Sequence, residues 1–221
     1  MNITSGALLT DLYELTMAQA YLAQGMTDIA VFEFFVRKLP PQRNFFMAAG
    51  LEQVLNYLEE FQFSDADIAW LDQTGGFSPA SLNALRAMRF TGEVHAMPEG
   101  SLFFPHEPIL RITAPLPQAQ LVETRVMNLL NFQTMVASKA CRSVLVAGDK
   151  PLIDFGLRRA HGAEAGLLAA RAAYLAGLAG TSNVSAGARF GIPIYGTMAH
   201  SFVQAHLDEA EAFTHIAEAQ P

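Results

Sequence analysis

Two clusters in the second half of the chain have residue types and spacing suited to chemistry. DFGLRRAHG, residues 154–162, delivers Phe155, Arg158, Arg159 and His161 at the end of a short apolar strand, PLIDF. GTMAHSF, residues 196–202, delivers His200 just past the apolar run IPIY, where a helix is expected to begin. Ligands of parallel α/β folds sit at the carboxyl ends of strands, so both clusters fall where a ligand would. Arg158 and Arg159 offer planar donors that hold a carboxylate or phosphate with paired hydrogen bonds. Phe155 offers a ring on which another ring can stack. A plainer reading buries Phe155 in the core and pairs the arginines with Glu164 or solvent, and spacing alone does not choose between the two. His200 is either a histidine at a helix terminus or a group that accepts a proton or phosphoryl near a phosphate site. Between the clusters, GTSNV at 180–184 puts Thr181, Ser182 and Asn183 ahead of a helix. That pattern suits an anion or polar ligand and equally suits an ordinary helix cap.

The first half is sparser. Arg37 and Arg43 flank KLPPQ and could reach a phosphate, although solvated surface accounts for either one alone. Tyr13, on the first helix, reads as packing. The remaining histidines, among them His95, His106, His206 and His215, show no HExxH or other ligand pairing. The one cysteine, Cys141, excludes a disulfide framework and a multi-cysteine metal site. No metal site made by the protein alone is expected. DFG does not mark a protein kinase, because no GxGxxG loop precedes it and no HRD stretch occurs.

These residues need elements to position them. Asp11 and Glu14 read as a capping box opening a first helix with Leu8, Leu12, Leu15, Gln19 and Leu22 at helical spacing, closed by Gly25. DIAVFEFFVRKLP alternates as a strand with Phe32, Phe34 and Val36 on one face. Residues 47–60 and 64–73 read as helices, the second begun by Ser64, and FTGEVHAMPEGSLFFPHEPILRITAP reads as short strands punctuated by Gly and Pro. From Val122 to Val144 the apolar spacing predicts one long amphipathic helix ending near Gly148. Strand PLIDF, helix AGLLAARAAYLAG, the TSNV turn, a short helix, strand IPIYGT and a helix from His200 follow. Strand–helix alternation predicts a parallel α/β sheet or barrel.

The expected organisation is a mixed α/β N-terminal domain over 1–116 and part of an α/β barrel over 117–221. About two parallel strands cannot cover both faces of a sheet or close a barrel, so the barrel is expected to be completed by further chain. The 221 residues are 51% hydrophobic and 16% charged, enough for a sizeable core with apolar surface left for a partner. A net charge of −7 without a basic stripe argues against nucleic acid. No apolar run reaches the roughly eighteen residues of a membrane span, and the N-terminus lacks the basic region of a signal peptide. A cytoplasmic enzyme is the expectation.

Taken in order, LLTDLYELTMAQAY, FEFFVRKLPPQRNFFMAAGLEQVL, PEGSLFFPHEPILRI, LVETRVMNLLNFQTMVASKA, DFGLRRAHG, GTSNV and GTMAHSFVQ resemble the nicotinate phosphoribosyltransferase family. The resemblance implies a mixed N-terminal domain joined to the irregular α/β barrel of type II phosphoribosyltransferases. It implies formation of nicotinate mononucleotide from nicotinate and phosphoribosyl pyrophosphate, coupled to ATP hydrolysis, in NAD salvage. Phe155 would stack on the pyridine ring, with Tyr13 of a dimer neighbour on the other face, and Arg158 would pair with the ring's carboxylate. Thr181 and Ser182 would line the substrate, Arg37 would contact phosphoribosyl pyrophosphate, with Arg43 a further candidate for that contact, and His200 would be phosphorylated by ATP. Mg²⁺ would travel with the diphosphate. An Asp at position 182, as the related nicotinamide-using enzymes look to carry, would repel a carboxylate, so Ser182 favours the acid and counts against a nicotinamide-using relative. The ATP-linked histidine motif counts against a quinolinate-using one. Family members are much longer, which implies that this chain holds the nicotinate side of the pocket and lacks much of the phosphoribosyl side. The alternative is a catalytically incomplete fragment or subunit that needs a complementary chain.

Overall fold

A computed structural model describes residues 6–220. Helix α1 (Leu12–Ala23) buries Leu15 and Ala18 and is followed by Gly25 at φ +68°. The expected capping box is absent: Asp11 makes no side-chain bond to its own helix. Glu14 is fully buried and faces the start of the long helix α6 (Glu123–Ala147). Its carboxylate accepts from the Thr124 N–H at 3.1 Å and lies 3.0 Å from the Thr124 hydroxyl, which also reaches Asp11 at 2.8 Å. Glu14 therefore caps another helix, taking an N–H that would otherwise be orphaned, and Asp11 holds the Thr124 hydroxyl beside it.

Strand β1 (Ile29–Phe34) alternates as expected, with Phe32 and Phe34 facing the core, but it ends before Val36. Its partner β5 (Leu110–Pro115) begins at Leu110, which is opposite Phe34, so the ladder stops there. Strand β3 (Glu93–Ala96) pairs with the other edge of β5, giving an antiparallel sheet in the order β1-β5-β3.

The helix expected over 47–60 is in fact two elements. Phe46–Met47 is a strand, β2, paired with β4 (Leu102–Phe103), and α2 begins only at Leu51 and runs to Glu59. Gly50 divides them at φ +107°, and a Cβ there would stand 2.8 Å from the Leu129 carbonyl of α6. Only glycine allows that backbone turn and that approach. Helix α3 (Asp65–Gln73) starts with the expected Ser64, in a capping box with Asp67. Helix α4 (Pro79–Ala87), capped by Ser78 with Pro79 in its first turn, went unread in the sequence.

Helix α5 (Leu116–Leu121) leads into α6, which ends at Gly148 as expected and packs on both halves of the chain. Its Val126, Leu129 and Leu130 join the main core with Leu15, Val54, Leu85 and Ile112. Farther along, Ala137 and Cys141 pack on Ala172 and Ala176 of α7 (Ala163–Leu175). Strand β6 (Ile153–Asp154) lies parallel to β7 (Gly180–Thr181), so the first two residues of GTSNV are strand and not turn. IPIYGT forms no full strand and joins the sheet by one parallel bridge, Thr181 to Ile194. Pro193 within that run has no N–H to donate, which limits its ladder. Helices α8 (Val184–Phe190), α9 (His200–Gln204) and α10 (Glu209–Ala219) complete the chain. Ile194 and Tyr195 are exposed on the third segment of this small sheet.

Candidate active site

The parallel pairing of Asp154 with Thr181 makes Phe155 and Ser182 the first residues past two adjacent strand ends. The Ser182 N–H donates to the Asp154 carbonyl at 2.8 Å, fixing that adjacency. Phe155 is 45% exposed, so it is not a core residue. Beyond it, the Gly156 N–H donates to Asp154 Oδ1 at 2.9 Å, bending the chain into the 3-10 turn Leu157–Arg159. Arg158 and Arg159 are exposed on this turn and form no ion pair among the described residues. The carboxylate offered by the plainer reading, Glu164, is taken by the buried Arg125 of α6. The cationic turn therefore has its donors available for an anion, with an aromatic ring beside them.

Ser182 is half-buried and its hydroxyl has no hydrogen bond among the described residues. Thr181 behaves differently. It is fully buried, its hydroxyl donates to Asp154 Oδ2 at 2.8 Å, and its oxygen accepts the Asn183 N–H at 3.1 Å. Asn183 is the true cap of α8, accepting from the Ala186 N–H at 3.1 Å. GTSNV thus contains both alternatives read in it: a helix cap at Asn183 and an unengaged polar group at Ser182.

His200 opens α9, exposed and without an imidazole hydrogen bond among the described residues. The segment leading to it is tied to β7 through Thr181 N–H to Pro193 O at 3.0 Å and Tyr195 N–H to Thr181 O at 2.9 Å. His200 therefore follows a third parallel segment of the same sheet.

Tyr13 and Arg37 belong to a different place. Arg37 lines a cavity of about 380 Å³ with Phe32, Phe34, Met127 and Glu123, to which none of Phe155, Arg158, Ser182 and His200 contributes. Tyr13, half-exposed on α1, has its phenol 3.4 Å from Glu123 Oε1 and 3.3 Å from Glu14 Oε1. Desolvation, then the Glu123 and Glu14 carboxylates, push that phenol up to about 12. Burial also raises the Glu14 carboxyl, against the hydrogen bonds from Thr10 and Thr124. Arg43 is half-buried, with Nη1 shielded and without a hydrogen-bond partner among the described residues.

Two supporting groups escape sequence reading: Asp154 and Arg171. Arg171 on α7 donates to Glu99 at 2.9 and 2.7 Å and to Glu52 of α2. Glu99 in turn accepts the Gly50 and Leu51 N–H groups at the start of α2. Burial alone would raise the Glu99 carboxyl, but the Arg171 guanidinium and those N–H groups hold it below its ordinary value. Asp154 stood in plain view in PLIDF, just ahead of Phe155. No spacing pointed to Arg171, whose partners lie 72 and 119 residues away.

With this geometry in hand, the family comparisons are specific. Residues 8–131 match the nicotinate phosphoribosyltransferase (NAPRTase) N-terminal domain, and residues 151–220 match the nicotinate phosphoribosyltransferase (NAPRTase) family. Nicotinate phosphoribosyltransferase pncB2 of Mycobacterium tuberculosis is 53% identical over 216 residues, covering 98% of this chain and 47% of the relative. The nicotinate phosphoribosyltransferase of Bacillus subtilis is 46% identical over 213 residues, covering 96% and 44%. Among solved structures, human nicotinic acid phosphoribosyltransferase superposes with a TM-score of 0.82 at 42% identity, over 89% of this chain and 40% of that one. Nicotinate-nucleotide pyrophosphorylase from Pyrococcus furiosus gives 0.79 at 25% identity, over 97% and 48%. The chain spans less than half the length of the relatives it matches.

Proposed function

Because this chain belongs to the nicotinate phosphoribosyltransferase family and has the type II phosphoribosyltransferase fold, we propose that it recognises nicotinate for transfer of a phosphoribosyl group in NAD salvage. One observation carries the reading: the exposed Phe155 and the unpaired Arg158 stand beside Ser182 at adjacent strand ends. Phe155 stacks on the pyridine ring and the Arg158 guanidinium pairs with its carboxylate, a bidentate contact that a neutral amide cannot match. Ser182 adds a hydroxyl that can donate to the same carboxylate without opposing its charge.

In the reaction, the pyridine nitrogen forms a bond to C1 of phosphoribosyl pyrophosphate as the bond from C1 to the diphosphate oxygen breaks. Both electrons leave with pyrophosphate. Positive charge develops at the ribose carbon, as in glycosyl transfer generally. The residues of this chain contribute by holding the ring in line with C1, an effect of position and not of a protein nucleophile. Among the described residues no group of three or more His, Cys, Asp or Glu is arranged to hold a metal ion. Mg²⁺ carried by the diphosphate would neutralise the charge of the leaving group, as it does with phosphate substrates. His200, exposed and free of a hydrogen bond, takes the γ-phosphoryl of ATP on a ring nitrogen, with ADP leaving; hydrolysis of the phosphohistidine couples ATP to product formation.

Tyr13 and Arg37 serve a second copy of the chain in a homodimer. Their placement supports this: Arg37 lines a cavity to which neither Phe155 nor Arg158 contributes, and the Tyr13 phenol lies 3.4 Å from Glu123, which lines the same cavity. Tyr13 then supplies the second face of the ring sandwich and Arg37 a contact to the diphosphate. A second reading, a subunit completed by a complementary chain, is favoured by the exposed Ile194 and Tyr195 on the small parallel sheet. Among the described residues no helix is long and apolar enough to cross a membrane, and we place the reaction in the cytoplasm.

The test is calorimetry of nicotinate and nicotinamide on the parent and on Ser182→Asp. The parent is expected to prefer nicotinate, and the variant to reverse the preference. Equal affinities before and after the change would sink the reading of this site.

A further inference from the structure

The Thr181 hydroxyl has one proton, and it goes to Asp154 inside a fully buried site, so it has nothing left to offer a ligand. Asp154, half-buried at the end of β6, uses each of its three oxygens on the two strand-end segments. Oδ1 takes the Gly156 N–H at 2.9 Å, Oδ2 takes the Thr181 hydroxyl at 2.8 Å, and the carbonyl takes the Ser182 N–H at 2.8 Å. One residue thus holds the backbone after Phe155 and the backbone of Ser182 together. The network continues through Asn183, 2% exposed, whose N–H donates to the Thr181 hydroxyl oxygen at 3.1 Å and whose Nδ2 donates to the Gly166 carbonyl at 3.4 Å. Gly166 sits in the first turn of α7, where a Cβ would meet Leu157 Cδ1 at 2.5 Å. Leu157 immediately precedes Arg158. The chain of contacts therefore returns to the cationic turn from which it started.

We propose that Thr181 and Asp154 are positioning residues that fix Phe155, Arg158 and Ser182 relative to one another, and so set affinity and selectivity for an aromatic carboxylate without touching it. The proposal rests on reading those three side chains as the nicotinate contacts. A largely buried hydrogen-bonded network specifies one geometry more sharply than apolar packing, because a displacement leaves a buried donor such as the Thr181 hydroxyl unpaired. Ring stacking and a bidentate ion pair demand that sharpness, since both decay with small displacements. A purely structural role would be met as well by apolar side chains of the same shape.

The experiment compares Thr181→Val, which keeps the shape and removes the hydroxyl, with Thr181→Ser, which keeps the hydroxyl. Nicotinate affinity is measured by calorimetry at a temperature where all variants are folded, and amide hydrogen exchange is followed over residues 154–160 and 180–184. Thr181→Val is expected to weaken nicotinate about tenfold and to speed exchange in these two segments, while Thr181→Ser stays within about threefold of the parent. Thr181→Val with parental affinity, or with exchange raised evenly across the chain, overturns the proposal. So does a Thr181→Ser variant as impaired as Thr181→Val. If Thr181→Val fails to fold, Asp154→Asn, which retains one of the two carboxylate acceptors, is read by the same two measurements; parental values there overturn the proposal. If the parent itself does not bind nicotinate, the functional reading fails, and unchanged exchange at Gly156 and Ser182 separately refutes the positioning role.

Discussion

Replacing Arg171 by Met should destabilise the protein severely, and the structure gives the size. The Arg171 side chain is 12% exposed and that of Glu99 16%, so their ion pair is largely cut off from water. Removing one member of a buried pair costs about 3–5 kcal/mol, because the other charge is left buried without compensation. The lower end applies here, since Glu99 keeps two N–H donors from Gly50 and Leu51. A loss of about 3 kcal/mol corresponds to roughly 6–12 °C in Tm for a chain of this size. The loss should also depend on pH. In the parent, the folded-state Glu99 carboxyl is lowered, so its stabilisation is present above the ordinary carboxylate range and is lost as pH falls through the lowered value. Without Arg171, burial pushes Glu99 the other way, and the variant sheds its penalty by protonating at higher pH. The gap between parent and variant is therefore widest near neutrality and narrows on acidification. Urea unfolding followed by circular dichroism across the carboxylate range measures this, and adding Glu99→Gln to Arg171→Met should recover part of the loss. A neutral-pH difference below about 1 kcal/mol, the magnitude of a surface pair, would refute the reasoning.

Two further outcomes concern the other half of the chain. Glu14 has its carboxyl raised by burial, so stability conferred by its protonated form is full at low pH and lost as pH rises through the raised value. Glu14→Gln should flatten that part of the profile, opposite in sign to the effect at Glu99, when unfolding is measured over the same pH series. Phe155→Ala should leave stability within about 0.5 kcal/mol, because the ring is already exposed, while abolishing measurable nicotinate binding in calorimetry. A large loss of Tm in that variant would return Phe155 to the core.

Features set by neighbours in sequence were legible beforehand. Ser64 with Asp67, the apolar stripe of α6, and the placement of Phe155 past a strand all depend on residues a few positions apart. The errors occurred where a distant partner decided the outcome. Asp11 and Glu14 have a capping-box spacing, yet Thr124, 113 and 110 residues away, claims both. Residues 47–50 look helical until β4 and the Leu129 carbonyl draw them into a strand and a left-handed turn. Within GTSNV, residue types alone could not say which hydroxyl turns inward. Pairing with Asp154 buries Thr181 and leaves Ser182 at the strand end, an alternation that follows only once the register is known.

The buried Glu14 that caps α6 also has a temporal meaning. Thr124 leaves the ribosome 110 residues after Glu14, so the start of the longest helix has no partner for its N–H groups until the first helix can fold back. Closing a loop of that length costs only slightly more entropy than closing a shorter one, but it places a non-local contact early in the folding order. Helix α6 packs on both cores, so a weakened dock between α1 and α6 is felt in both halves of the chain. Variants at Glu14 should accordingly slow refolding more than they speed unfolding, the pattern of a contact already made in the transition state.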